Sequence, residues 1–152
     1  MSDTYSPITK ERGNMFLLLL ALYSGSVVPQ APSVVSSWYG INFHGRETAS
    51  GATFDMNELT FASCSILLGS ICEVRNPENG RMDIARCTDT GPWKYNENGY
   101  ATYPLEEHPT RKIDLSRALY DSLSDGDLGS GVMLVQVRII GYSDEGLFDY
   151  DN

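Results

Sequence analysis

The run Asn76-Pro77-Glu78-Asn79-Gly80 constrains this chain more than any other stretch. Asn-Gly between two alternating segments is the strongest short-range signal for a β-hairpin, because both residues accept the positive φ that a tight turn demands. Before it, Ser70-Ile71-Cys72-Glu73-Val74-Arg75 places Cys72 and Val74 on one face and Glu73 and Arg75 on the other. After it, Arg81-Met82-Asp83-Ile84-Ala85 leads into Arg86-Cys87-Thr88-Asp89-Thr90-Gly91-Pro92-Trp93, where a Gly-Pro step ends regular structure. Residues 70–88 are therefore expected to form a hairpin, with Asp89 where strand gives way to loop. A carboxylate so placed either caps the turn, as aspartate commonly does, or is held rigidly at the lip of a groove.

The rest of the chain extends the β pattern. Trp38-Tyr39 has the aromatic character of a strand, Ile113-Asp114-Leu115 reads as a short strand, and Val132–Ile140 is the clearest strand of all. Ile66–Arg75 reads as one strand broken at Gly69, and Phe54–Ala62 as one or two helical turns. Ser116 is placed to cap a two-turn helix through Leu123. Asp114 is assigned to tying down the barrel and the start of that helix. Residues 40–51, with three glycines, read as an ordered surface loop, and 94–112 as a long loop without periodicity, a kind of segment that is often functional. Many short strands and one short helix predict an all-β barrel.

The barrel is expected over residues 36–142, preceded by a segment at 1–35 and followed by an acidic tail at 143–152. Residues 24–37, rich in Ser, Pro and Val, read as a linker. Met15–Tyr23 is apolar but too short to span a bilayer, so no stable membrane span is expected. With Lys10 and Arg12 before it, the run fits a secretory signal; it equally fits a helix packing on the domain or on a protein partner, or a start at Met15. A chain of 152 residues is long enough for one domain with a real core. Its net charge of −9 and pI near 4.5 argue against nucleic acid and anionic membrane surfaces as partners, and are compatible with a polysaccharide. Cys64, Cys72 and Cys87 show no zinc-ligand spacing, so neither metal nor cofactor is expected. Cys72 and Cys87, on the two arms of the hairpin, either bridge or serve as small buried hydrophobes.

Trp38-Tyr39-Gly40 followed by Phe43-His44-Gly45-Arg46-Glu47-Thr48-Ala49-Ser50-Gly51 resembles the opening of rare lipoprotein A (RlpA)-like domains. The resemblance continues through Phe54-Asp55-Met56-Asn57, Leu59-Thr60, Leu68-Gly69, Val74-Arg75-Asn76, Asn79-Gly80-Arg81, Asp89-Thr90-Gly91-Pro92-Trp93, Ile113-Asp114-Leu115-Ser116 and Gly131-Val132, in order over residues 36–140. It implies an all-β, six-stranded double-psi β-barrel with one or two short helices. Active members are lytic transglycosylases that cut peptidoglycan strands, and expansins are related. In such a reaction the sugar's own 6-hydroxyl closes on the anomeric carbon, so one acid/base is enough, where a hydrolase uses two carboxylates.

The resemblance implies Asp89 as the catalytic acid/base and Asp55 as a second acidic site residue. By residue type, Tyr39 and Trp93 are candidates to stack on sugar rings, with core filling as the competing reading; Arg46 is a candidate to bind a sugar hydroxyl or carboxylate or to clamp its own loop, and Thr48 a further candidate substrate contact. Trp38 is assigned to the core and His44 to structure. Two family positions differ: Ala52 stands where members have a glutamate, and Ser63 where they have a histidine. Glu106, Glu107 and His108 are polar groups in the long loop and candidates to replace them; solvated surface charge is the competing reading. The implied partner is peptidoglycan or another wall polysaccharide, acted on in the cell envelope or after secretion. The competing reading is a non-catalytic glycan-binding or structural barrel, for example a virion-associated component or part of a wall-penetrating assembly.

Overall fold

The computed structural model describes residues 30–143. Six strands, β1 (Ser33–Tyr39), β2 (Thr60–Ala62), β3 (Ser70–Arg75), β4 (Met82–Asp89), β5 (Arg111–Ser116) and β6 (Val132–Tyr142), close into a barrel in the order β1-β5-β2-β4-β3-β6. One helix, α1 (Arg117–Ser124), lies between β5 and β6 in the chain. The pairs β1–β5 and β2–β4 are parallel and the other four antiparallel. The closed six-stranded barrel with one short helix is the expected architecture, and closure leaves no open sheet edge.

The hairpin forms as its sequence requires. β3 and β4 pair antiparallel, with Arg75 opposite Met82 and Cys72 opposite Ala85. Gly80 takes φ +77, and the Asn76 amide donates to the Arg81 carbonyl at 2.9 Å. The turn also holds the end of α1, because the side-chain amides of Asn76 and Asn79 both donate to the Leu123 carbonyl, at 3.0 and 2.9 Å. One of the carbonyls that the helix end leaves unpaired thus takes two donors. Cys72 and Val74 point inward, where Phe61, Leu115, Leu119 and Val135 join them in a fully buried core. Ser116 caps α1: its Oγ accepts the Leu119 amide at 3.3 Å and donates to the Glu58 carbonyl at 2.6 Å.

Several local expectations change. Phe54–Ala62 holds a turn and the three-residue β2, with no helix; its residues are all buried and pair with both β4 and β5, so no alternation marks them. The strand expected from Ile66 starts at Ser70, after Gly69 turns the chain at φ +85. Residues 33–37, read as linker, are the body of β1; the Ser36 hydroxyl donates to the Met133 carbonyl at 3.0 Å, so the serines are satisfied inside the barrel. Cys72 and Cys87 are not bridged: all three thiols are free. The long loop closes on itself through bridges between Trp93 and Glu107 and between Tyr95 and Ala101, and gives its last residues to β5. Among the described residues no helix is long and apolar enough to cross a membrane. The apolar run at 15–23 and the acidic residues after 143 lie outside the described residues.

Candidate active-site groove

Strand alternation alone would turn Asp89 into the core, since Ala85 and Cys87 of the same strand are buried there. A bulge in the β2–β4 pairing intervenes. Phe61 registers with Cys87, but Ala62 registers with Asp89, so Thr88 is skipped. Bulges of this kind re-aim side chains next to active sites. Ala62 also registers with Asp114 of β5, across its other edge. Asp89 and Asp114 thus flank one small residue, roughly 10 Å apart at Cα, two interstrand spacings. They line an open groove of about 220 Å³ together with Tyr39, Phe43, Trp93 and Tyr95.

The two carboxylates have different surroundings. Asp89 Oδ1 accepts two backbone amides, Ala49 at 3.0 Å and Thr90 at 2.8 Å. Its backbone is fixed in turn: the Ser63 amide donates to its carbonyl at 3.1 Å, and the Ser50 amide to the neighbouring Thr88 carbonyl at 3.0 Å. The Asp114 side chain is only 20% exposed, with Arg111 Nη1 3.7 Å from its Oδ1. The Ser37 hydroxyl donates to that same oxygen in a short bond. Burial raises the Asp114 pKa above the ordinary aspartate range, and the Ser37 bond, Arg111 and His108 oppose the rise. Burial therefore favours the protonated form of Asp114.

Tyr39 is the groove wall between them. Its ring stacks on Phe54 with centroids 4.3 Å apart and meets the edge of Phe43 at 5.7 Å. Burial raises its phenol pKa, and the charges of Asp89 and Asp114 raise it further; Thr60 draws it back slightly. Neither Tyr39 Oη nor Thr60 Oγ1 has a hydrogen-bond partner with good geometry.

Other expected site residues fall elsewhere. Asp55 is not among the groove's lining residues: its Oδ1 accepts the Asn57 backbone amide at 2.8 Å and side-chain amide at 3.0 Å, closing a turn beside His44. His44 itself accepts the Met56 amide at 3.2 Å, a structural use. Arg46 is exposed, its guanidinium 5.3 Å over the Phe43 ring. Thr48 is buried, bonded to the Ala52 carbonyl and the Ser50 hydroxyl, both at 2.9 Å. It shapes the turn that delivers the Ala49 amide to Asp89. Ser63 spends its hydroxyl on the Lys112 carbonyl at 3.4 Å. Glu106 and Glu107 pair with Lys94 and Lys112 at 2.7 and 3.3 Å, as surface charges do. Trp38 is part-buried and packs against Tyr120 and the core.

A larger hollow of about 470 Å³, around Asn76, Glu78 and Asp127, shares no residue with the groove. Asp127 there is spent on the Gly129 amide at 2.9 Å, and two of the hollow's asparagines are spent on α1, so it offers no comparable pair of groups. Among the described residues no cluster of three His, Cys, Asp or Glu could hold a metal ion.

A closed double-psi barrel with an acidic groove at strand ends matches the family model described as "Lytic transglycolase" over residues 32–137, and the chain belongs to that family, among its RlpA-like members. The chain is 32% identical over 108 residues to Endolytic peptidoglycan transglycosylase RlpA of Neisseria meningitidis, a match covering 71% of this chain and 39% of that protein. It is 34% identical over 115 residues to Probable endolytic peptidoglycan transglycosylase RlpA of Treponema pallidum, covering 76% of this chain and 30% of the relative. The chain therefore spans under two fifths of the length of these relatives. Cerato-platanin 3 from M. perniciosa shares the fold at a TM-score of 0.50 and 10% identity, over 72% of this chain and 95% of that one.

Proposed function

We propose that this barrel cleaves peptidoglycan glycan strands by a lytic-transglycosylase reaction in the Asp89–Asp114 groove, in the cell envelope or after secretion. The observation that carries the reading is the pair of carboxylates in register with Ala62, one fixed by backbone amides and one buried with a raised pKa. The names of the relatives point to the same chemistry.

Asp114 supplies the proton to the glycosidic oxygen as the bond to the anomeric carbon breaks. Positive charge then builds on the sugar ring, and the Asp89 carboxylate faces it. The sugar's own 6-hydroxyl attacks the anomeric carbon, and the Asp114 carboxylate takes the proton that hydroxyl loses, leaving a 1,6-anhydro end. The Tyr39 ring walls the groove with its hydroxyl buried behind it, and Trp93 and Tyr95 offer ring faces to the glycan. The sequence-based assignment of the acid to Asp89 moves to Asp114 here, with Asp89 retained as its counterpart. Asp55, Arg46 and Thr48 act through the loops they hold.

Ala52 and Ser63, which carry no acid and no imidazole, favour a second reading, a barrel that binds the glycan without cutting it. Incubation with peptidoglycan sacculi and mass spectrometry of the soluble products separates the two. Anhydro-muropeptides that vanish with Asp114→Asn and with Asp89→Asn support cleavage. Co-sedimentation without products supports binding alone. Neither product nor co-sedimentation would sink both.

A further inference from the structure

Arg111 is held at both ends. Its backbone amide donates to His108 Nδ1 at 3.1 Å, at the close of the long segment before β5. Its Nη1 donates to Ser37 Oγ at 2.7 Å, across the parallel β1–β5 pair in which Ser37 stands opposite Asp114. A guanidinium has donors only, so Ser37 Oγ must accept from it. A serine hydroxyl carries one proton, and here that proton goes to Asp114 Oδ1. An Oδ1 that accepts this bond, with the Arg111 guanidinium 3.7 Å away, is the poorer of the two oxygens to bear the carboxyl's own hydrogen.

We infer that Arg111 is a positioning residue: by fixing the direction of the Ser37 hydroxyl, it places the acidic proton of Asp114 on Oδ2, the oxygen that Ser37 leaves unengaged. Without Arg111 the hydroxyl is free to turn and accept a proton from Oδ1, which would tie the acidic proton to the serine. This inference rests on the proposed cleavage reaction for its purpose, though not for its geometry. The charged and titratable groups around Asp114 are Arg111 on its own strand, Tyr39 on β1, Asp89 on β4, and Cys64 and His108 from the flanking loops. Of these, Arg111 alone bonds to the serine that bonds to Asp114.

The test is a ¹³C NMR titration of the Asp114 carboxyl in the full chain, beside turnover of sacculi. Arg111→Met and Ser37→Ala should each move the Asp114 titration to higher pH, and the double variant should move it by less than the two shifts added. Ser37→Thr, which keeps the hydroxyl, should restore the wild-type titration. Turnover should fall at least about tenfold in Arg111→Met, in kcat more than in KM. Thermal melting confirms that each variant is folded; if Arg111→Met is not, the Ser37→Ala and Ser37→Thr pair decides. An unmoved titration in a folded variant, or shifts that simply add, overturns the relay even if sacculi are cleaved. A relay that behaves as expected in a protein that releases no anhydro-sugars leaves the inference standing and removes the cleavage reading.

Discussion

Asp89 and Asp114 stand on strands two apart, each in register with Ala62, so a single small residue lies between them across the sheet. Ala62 is 5% exposed and forms the floor between them. Ala62→Val should put extra carbon atoms into that gap. Glycan binding and turnover should fall together, while overpacking costs about 1–3 kcal/mol of stability. Sacculus co-sedimentation and urea unfolding measure the two effects, and undiminished binding would remove this floor from the site.

Asp114 gives a pH dependence of defined sign. Its folded pKa lies above the unfolded value, near 3.8, chiefly because of burial. Between those two values the folded state binds more protons than the unfolded, so stability falls as pH rises through that window and is unaffected below it. Asp114→Asn should flatten this fall, as read by urea midpoints at a series of pH values. Turnover by the wild type should likewise decline as pH rises through the Asp114 titration.

The three thiols should differ in reactivity. Burial pushes Cys72 up to about 11 and Cys87 up to about 12, and neither reaches solvent, whereas Cys64 is half-buried. At neutral pH a maleimide should modify Cys64 first, with the other two reacting only on unfolding. Mass spectrometry of the labelled peptides reads the order; early labelling of Cys72 would show an open barrel.

Asn76 joins the hairpin turn to the helix. Its side chain donates to the Leu123 carbonyl at 3.0 Å and accepts the Glu78 amide at 2.9 Å, in a position 5% exposed. Asn76→Ala removes both bonds and should cost about 2 kcal/mol. Denaturant unfolding checks this, and a cost below about 0.5 kcal/mol would mean that Asn79 alone secures the helix end.

The hairpin was legible because Asn79-Gly80 is local chemistry, and the helix because Ser116 announces its cap. β2 was not, since a strand of three buried residues has no period to detect. The site was partly legible. The motif around Asp89 pointed to the groove, but the bulge that turns this side chain outward is a property of the pairing and is invisible in one strand. Asp114 carried a usable signal: Ile113 and Leu115 are core residues, so the residue between them faces away from the core. The bond from Ser37 agrees with the anchoring role read from the sequence, and the place of Asp114 in the groove lining is what adds the proposed acid role. Asp55 matched the motif, yet its neighbour Asn57 engages it in a turn.

The segment after Trp93 is closed at its base, where Trp93 bridges Glu107 and the His108 amide donates to the Pro92 carbonyl at 2.9 Å. The excursion gives Trp93 and Tyr95 to the lining of the groove, while its tip, around Asn96 to Leu105, gives none. A change of sequence at that tip should therefore leave the two carboxylates and their wall in place.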